Sequence, residues 1–363
     1  MYKSFRIRNF RCFSELEIAN LQRVNLITGL NNVGKTALLE AIWLHCGRYK
    51  PELMTSLNAF RGVETYRLED SPGAETLWDS FFGGFDSSNP AELRATEVDG
   101  KEHTIRLKVL KDQDELSRLR NSAAAHGEKN VTQRIPLASG PAQVLELHSE
   151  DNRKRQRNYY MIFDSKGLRT EPIPPPVEFQ AVFLASRIRA QLLDEADLFS
   201  KLEVTGKQQV VVDALQVVEP RLKRLALVKS GGQTMIHGDV GLSRLVPLNF
   251  MGEGTMRLAI IVLYICTSPK GVVLVDEIEN GFHYSILPKL WQVVAQTARQ
   301  WDTQVFATTH SLECVNSAHQ AFVESENYDF RLYRLERVKD DIRAISYDRD
   351  ALSAAMEAGL EVR

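Results

Sequence analysis

The segment "GLNNVGKT" (29–36) follows the apolar run Val24-Asn25-Leu26-Ile27 and leads straight into "ALLEAIWLHC". Strand, glycine-bearing loop and helix in that order leave few folds open to the chain. The spacing G-x-x-x-x-G-K-[ST] turns successive backbone N–H groups inward at a helix N-terminus, where they cradle phosphate. Gly29 and Gly34 permit the backbone turns, Lys35 reaches the outer phosphates of a nucleotide, and the Thr36 hydroxyl is a ligand for Mg²⁺. Asn31 and Asn32 belong to the same loop and are grouped with its nucleotide contacts.

Three further segments point to the same chemistry. "GVVLVDE" is a short β-type run that delivers Asp276 and Glu277 at its C-terminal edge, where ligands bind in open α/β sheets. Asp276 is placed to hold Mg²⁺, and Glu277 to orient and deprotonate an attacking water. "VFATTHS" sets His310 just past another apolar strand, a position suited to sensing a terminal phosphate. "NFMGEGTMRLAII" places Gly252 and Gly254 at the start of an apolar helix, whose bare N–H groups would form a second anion site.

The remaining pattern is mixed. Residues 2–8 and 14–18 read as short strands, and 23–28 as a buried strand. Residues 50–100 read as loops. Alternation at 103–110, 142–149 and 158–164 predicts antiparallel strands with one wet face. Residues 190–228 are helical in period, followed by a hairpin turning at Gly231-Gly232. A strand at 304–309 is followed by a short helix, and a last hairpin turns at Asp340-Asp341. The expected organisation is one nucleotide-binding core made of 1–48 and 250–330. Residues 49–249 are an inserted β-rich and helical region that supplies surfaces for self-assembly and a partner, and 331–363 form a C-terminal hairpin and short helix.

Composition narrows the setting. Lys and Arg number 45 against 47 Asp and Glu, giving a formal net charge of −2 and no global pull toward nucleic acid or anionic lipid. The four cysteines form no C-x-x-C pair, so a reducing cytoplasm is the expected location. The run Leu258–Cys266 is far shorter than the ~20 residues that cross a bilayer, so no membrane partner is expected.

In order, the phosphate loop, the large insertion, the glycine turn before a helix, the Asp-Glu strand and the strand-end histidine resemble the ABC-class ATPases. The head domains of SMC and RecF proteins belong there. "FRIRNFRCF", "NLITGLNNVGKT", "MGEGTMRL", "VDEIENGFHYSIL" and "ATTHS" are similar to a narrower branch, the bacterial OLD-type ATPases of anti-phage defence. The resemblance implies an α/β fold, an ABC-type ATPase head with a mixed sheet plus an inserted antiparallel β and helical subdomain. It implies ATP with Mg²⁺, and a homodimer or higher oligomer in which two protomers face each other across two ATP molecules. Gly252 and Gly254 of one chain would then contact the γ-phosphate held by Lys35 of the other, with Asn280 and Gly281 in the loop crossing the interface. Gly-Glu-Gly stands here where that class commonly has serine-glycine-glycine. Arg11, in "NFRCF", matches a position near the nucleotide. Gln133, Gln143 and Gln180 are equal candidates for the glutamine loop.

OLD proteins carry a C-terminal TOPRIM nuclease, and no metal-nuclease set of carboxylates is read in this chain. The layout resembles the stand-alone ATPase subunits of two-component defence systems of the PARIS or Septu type. Such a subunit implies a separate nuclease or toxin effector and a phage protein as trigger. A DNA-repair or DNA-binding ATPase is the alternative, resting on the basic runs "RKRQR" (153–157), Arg187/Arg189 and "RLKR" (221–224). A transporter ATPase subunit is disfavoured by the "NFRCF" segment and the β-rich insertion.

Overall fold

The phosphate-loop helix, α1 (Lys35–Cys46), is buried around its whole circumference, because it lies between two sheets. The computed structural model describes residues 1–63, 76–111, 142–175, 181–186 and 192–363, residue 116, and the backbone of 123–125 and 132–134.

Two short strands open the chain, β1 (Tyr2–Phe10) and β2 (Phe13–Ala19). Tyr2, Phe5, Ile7 and Phe10 of β1 are buried while Arg8 is exposed, the alternation of a half-solvated strand. These strands form one edge of a seven-stranded sheet with β4 (Ala91–Glu97), β5 (Glu102–Leu110), β8 (Gln143–Glu150), β9 (Gln156–Asp164) and β10 (Gly167–Glu171), all antiparallel. A separate two-stranded ribbon comprises β6 (Ala123–Ala125) and β7 (Thr132–Arg134).

The second sheet has six strands in the order β11 (Ala181–Leu184), β15 (Val272–Val275), β16 (Gln304–Thr308), β3 (Val24–Thr28), β17 (Phe330–Val338) and β18 (Asp341–Tyr347). It is parallel except for the β17–β18 hairpin. Its inner strands are buried on both faces, and their alternate residues enter two different cores. Val24, Leu26, Val273, Val275, Val305 and Ala307 face one, and Ile27, Val272, Leu274 and Phe306 face the other, with α1. On the far face lie α5 (Glu253–Thr267), α6 (Leu287–Gln300) and α7 (Leu312–Val323). Helices α3 (Leu192–Val204) and α4 (Gln209–Leu215) pack on α5 beside the sheet β12 (Arg224–Ser230), β13 (Gln233–Asp239) and β14 (Val246–Pro247). The last helix is α8 (Arg349–Glu357).

The fold class is the expected α/β one, with a mixed sheet and an antiparallel sheet, but several expectations change. Residues 50–100 hold a helix, α2 (Leu53–Phe60), and the full strand β4. The inward positions of β4 are Ala91, Leu93 and Ala95, so two of its three apolar marks are small. The short helix expected after His310 runs over twelve residues, Leu312–Val323. Sheet pairing also cuts across the expected boundaries. β1 and β2 belong with the strands of 49–249, while β11 and the hairpin at 330–347 complete the six-stranded sheet. Hydrogen-bonded neighbours in a sheet need not be neighbours in sequence, so strand periodicity alone could not divide the chain. Among the described residues, no helix is long and apolar enough to cross a membrane.

Candidate functional site

β3, β15 and β16 are adjacent and parallel, so their C-terminal ends lie at one edge. The edge carries the 29–36 loop, Asp276-Glu277 and Thr308–His310. Thr36 Oγ1 donates to Asp276 at 3.2 Å (Oδ1) and 3.1 Å (Oδ2). Thr308 Oγ1 donates to Asp276 Oδ1 at 2.6 Å, and Ser186 Oγ lies 3.4 Å from Oδ2. A carboxylate and three hydroxyls thus converge at the end of a buried strand.

The loop is shaped by close approaches. Gly34 has φ +95°, and a β-carbon there would lie 2.6 Å from Cys12 Sγ and 2.7 Å from the Phe13 ring. At Gly29 (φ +140°) it would lie 2.4 Å from the Leu335 carbonyl oxygen. The β1–β2 turn therefore presses on the loop, which gives "FRCF" a physical role beside "GLNNVGKT". Lys35 Nζ folds back to donate to the Gly29 and Leu30 carbonyls at 2.7 and 3.0 Å. Burial pushes its ammonium below the usual lysine range, opposed by Asp276, Glu277 and Glu279. Asn31 and Asn32 lie in the same loop, Asn32 in the left-handed region at φ 60°.

Gly34→Ala is expected to lower stability by about 2–4 kcal/mol, because the added carbon meets both a positive φ and occupied space. The denaturant midpoint should fall accordingly, and an unchanged midpoint would refute the packing account.

Glu277 has φ +50°, unusual for a side-chain-bearing residue. Its N–H donates to Thr308 Oγ1 at 2.8 Å, and its Oε2 accepts from Asn280 Nδ2 at 2.7 Å. His310 is more exposed and stands off this cluster. Its Nδ1 is 3.3 Å from Glu279 Oε1, which also accepts the His310 backbone N–H at 3.1 Å. Gly252 (φ +102°) begins α5 with no side-chain cap, and a β-carbon there would meet nothing within 4 Å. A β-carbon at Gly254 would lie 2.7 Å from the Gly281 carbonyl oxygen. The glycine turn is thus seated on the loop that follows Glu277.

Residues 24–316 match the family described as "AAA domain, putative AbiEii toxin, Type IV TA system". The chain belongs to this AAA-domain family. As a member, it is similar over 353 residues, at 23% identity and 90% of each chain, to a Helicobacter pylori protein named "ATP/GTP phosphatase". An uncharacterised Methanocaldococcus jannaschii protein is 26% identical over 245 residues, 65% of this chain and 95% of that one. The fold of this family member is also similar to an Smc head bound to the C-winged helix domain of ScpA, with TM-score 0.52, 12% identity and 98% and 99% coverage. An Smc head with an extended coiled coil, bound to the C-terminal domain of ScpA from Pyrococcus furiosus, gives TM-score 0.51 at 10% identity, with 98% of each chain covered. At such identity the likeness concerns the ABC-type fold.

In this AAA-domain chain Arg11, expected near the nucleotide, is engaged by groups of the protein itself. Its Nε donates to Glu40 Oε2 at 3.0 Å and its Nη1 to the Ser80 carbonyl at 2.9 Å, with the Phe81 ring centroid 4.1 Å away. The side chain is only 8% exposed, and its Nη2 is buried without a hydrogen-bond partner. Burial lowers its pKa to about 10, and Glu40 acts in the opposite direction. Gln143 Oε1 accepts from Leu77 N at 2.9 Å, while the side chains of Gln133 and Gln180 lie outside the described residues.

Part of each basic run is locally paired: Lys154 with Glu150, Arg155 with Asp151, Arg221 with Glu219 and Arg224 with Asp239. Arg187 and Arg189 lie outside the described residues. The sequence reading passed over Thr308, Ser186 and Arg257. Thr308 was visible in principle, between an apolar strand and His310. Nothing local marked the other two.

Proposed function

We propose that this chain is an ATP-hydrolysing switch subunit whose sites are completed by a second copy and whose state controls a separate nuclease or toxin effector in bacterial anti-phage defence. The observation that carries the ATPase reading is the convergence of Thr36, Asp276 and Thr308 beside the glycine-shaped loop and Lys35. Hard oxygen donors on Thr36 and Asp276 suit Mg²⁺, which when bound would neutralise charge on the phosphates. Thr36 and Asp276 would hold it. Lys35 would exchange the loop carbonyls for phosphate oxygens, Glu277 would take the proton of the attacking water, and His310 would face the terminal phosphate. The "ATP/GTP phosphatase" name of the Helicobacter pylori relative supports hydrolysis.

The two-chain reading rests on Gly252 and Gly254 at an uncapped helix start, flanked by exposed Phe250 (80%) and Tyr284 (67%). Apolar side chains beside an anion site suit burial against another protein surface. The trigger is proposed to be a phage protein, and the location cytoplasmic. The partly paired basic runs give the DNA-binding alternative no comparable support.

Pure protein with Mg²⁺ is expected to hydrolyse ATP and to leave DNA and RNA intact. Lys35→Ala should abolish binding of a labelled ATP analogue, since it removes the one cation the loop supplies. Wild-type turnover in Lys35→Ala would overturn the assignment. Cleavage of DNA by the pure chain that survives Glu277→Gln would overturn the separate-effector reading.

A further inference from the structure

One half-buried arginine is used by none of the roles above. Arg257 sits on α5, three residues past Gly254, so both lie on one face of the helix. Its Nη2 donates to the carbonyl oxygens of Asp276 and Glu277, each at 2.7 Å. Its Nε is buried without a hydrogen-bond partner. We propose that Arg257 is a positioning residue that couples the glycine turn at 252–254 to the Asp276–Glu277 turn, and so links two ATP sites. The proposal rests on the two-chain reading above.

Glu277 is held at its N–H by Thr308, at its carboxylate by the Asn280 side chain, and at its carbonyl by both Arg257 (2.7 Å) and the Asn280 N–H (3.1 Å). Thr308 belongs to β16 and Asn280 to Glu277's own turn. Arg257 alone of the three comes from the helix that begins at the glycines. One guanidinium nitrogen that binds two successive carbonyls favours the backbone arrangement in which both oxygens face it. That arrangement includes a left-handed Glu277, which a side-chain-bearing residue adopts only when its surroundings require it.

The contact between the two segments is tight along its length. A β-carbon on Gly281 would lie 3.0 Å from Glu253 Cγ, and one on Gly254 would lie 2.7 Å from the Gly281 carbonyl oxygen. The first turn of α5 therefore cannot shift relative to residues 276–281 without breaking packing or the Arg257 bonds. In a two-chain site, Gly252 and Gly254 meet the phosphate held by the partner, while Glu277 serves the phosphate on its own Lys35. Arg257 makes these two events share one rigid piece. Occupancy of one site then biases the other, the requirement for coupling between distinct sites.

The test compares Arg257→Met, Arg257→Lys and wild type, measuring ATP turnover across ATP concentration and, separately, binding of a labelled ATP analogue. Wild-type turnover should rise sigmoidally with ATP. Arg257→Met should become hyperbolic, with kcat lower by about 10–100-fold and analogue affinity within about threefold, because charged hydrogen bonds to the base-bearing turn are lost while the phosphate loop is intact. Arg257→Lys, with charge and donors but shorter reach, should fall between the two. Should Arg257→Met not fold, Arg257→Gln is read in its place with the same expectation. A hyperbolic wild type, an unchanged kcat in the variant, or equal losses of kcat and affinity would overturn the proposal. Absence of any Lys35-dependent hydrolysis in the wild type would instead overturn the ATPase reading itself.

Discussion

Glu277→Gln is expected to lower ATP turnover by about 10²–10⁴-fold, the usual contribution of a positioned general base, while nucleotide binding stays intact. The substitution is nearly isosteric. Glutamine retains an oxygen that can accept from Asn280 Nδ2, and the backbone bonds to Thr308 and Arg257 do not involve the side chain. The local frame should therefore persist, and only proton acceptance should be lost. Labelled-analogue binding measured beside steady-state hydrolysis separates the two. A Glu277→Gln protein that binds nothing, or one that turns over at full rate, would exclude Glu277 as the base.

The second large effect is complementation between damaged chains. Lys35→Ala and Gly252→Asp should each be inactive alone. A carboxylate at position 252 would stand against phosphate oxygens, a repulsion of about 4 kcal/mol at an effective dielectric near 20. The side chain has room, since nothing lies within 4 Å of a β-carbon there, so the loss should not come from clash. Positive φ at Gly252 adds backbone strain, and Gly252→Ala controls for it by sharing the strain without the charge. In an equal mixture, a mixed dimer pairs the sound Lys35 of one chain with the sound Gly252 of the other at one of its two sites. Recovery of up to about a quarter of wild-type turnover follows from random pairing in a two-fold dimer. No recovery after verified chain exchange would exclude a shared site.

Some of this was legible in the sequence and some was not, for identifiable reasons. The loop at 29–36, the strand ending at Asp276 and the strand before His310 are contiguous signals, each a few residues of apolar run followed by polar punctuation. The structure brings Thr36 and Asp276 within hydrogen-bond distance across 240 positions, and parallel pairing through β16 accounts for it. The helix at 53–60 was hidden because it spans only two turns and no side chain caps it. The pairing of Arg11 with Glu40 was not legible, because Glu40 is a carboxylate on a helix enclosed by the second sheet. Arg257 was invisible for a related reason: its acceptors are backbone carbonyls, which carry no residue-type signature.

The enclosure of α1 has a mechanical consequence. A helix with water along one side can roll or slide by displacing solvent. α1 would have to displace close-packed side chains in every direction, from Leu38 and Leu39 through Ile42 to Leu44, all without exposed surface. Lys35 and Thr36 are thus mounted on a fixed post. Whatever adjustment accompanies the arrival of phosphate falls to the parts with solvent beside them, such as Leu30 at the loop tip, 78% exposed. The post holds still, and the rim around it closes.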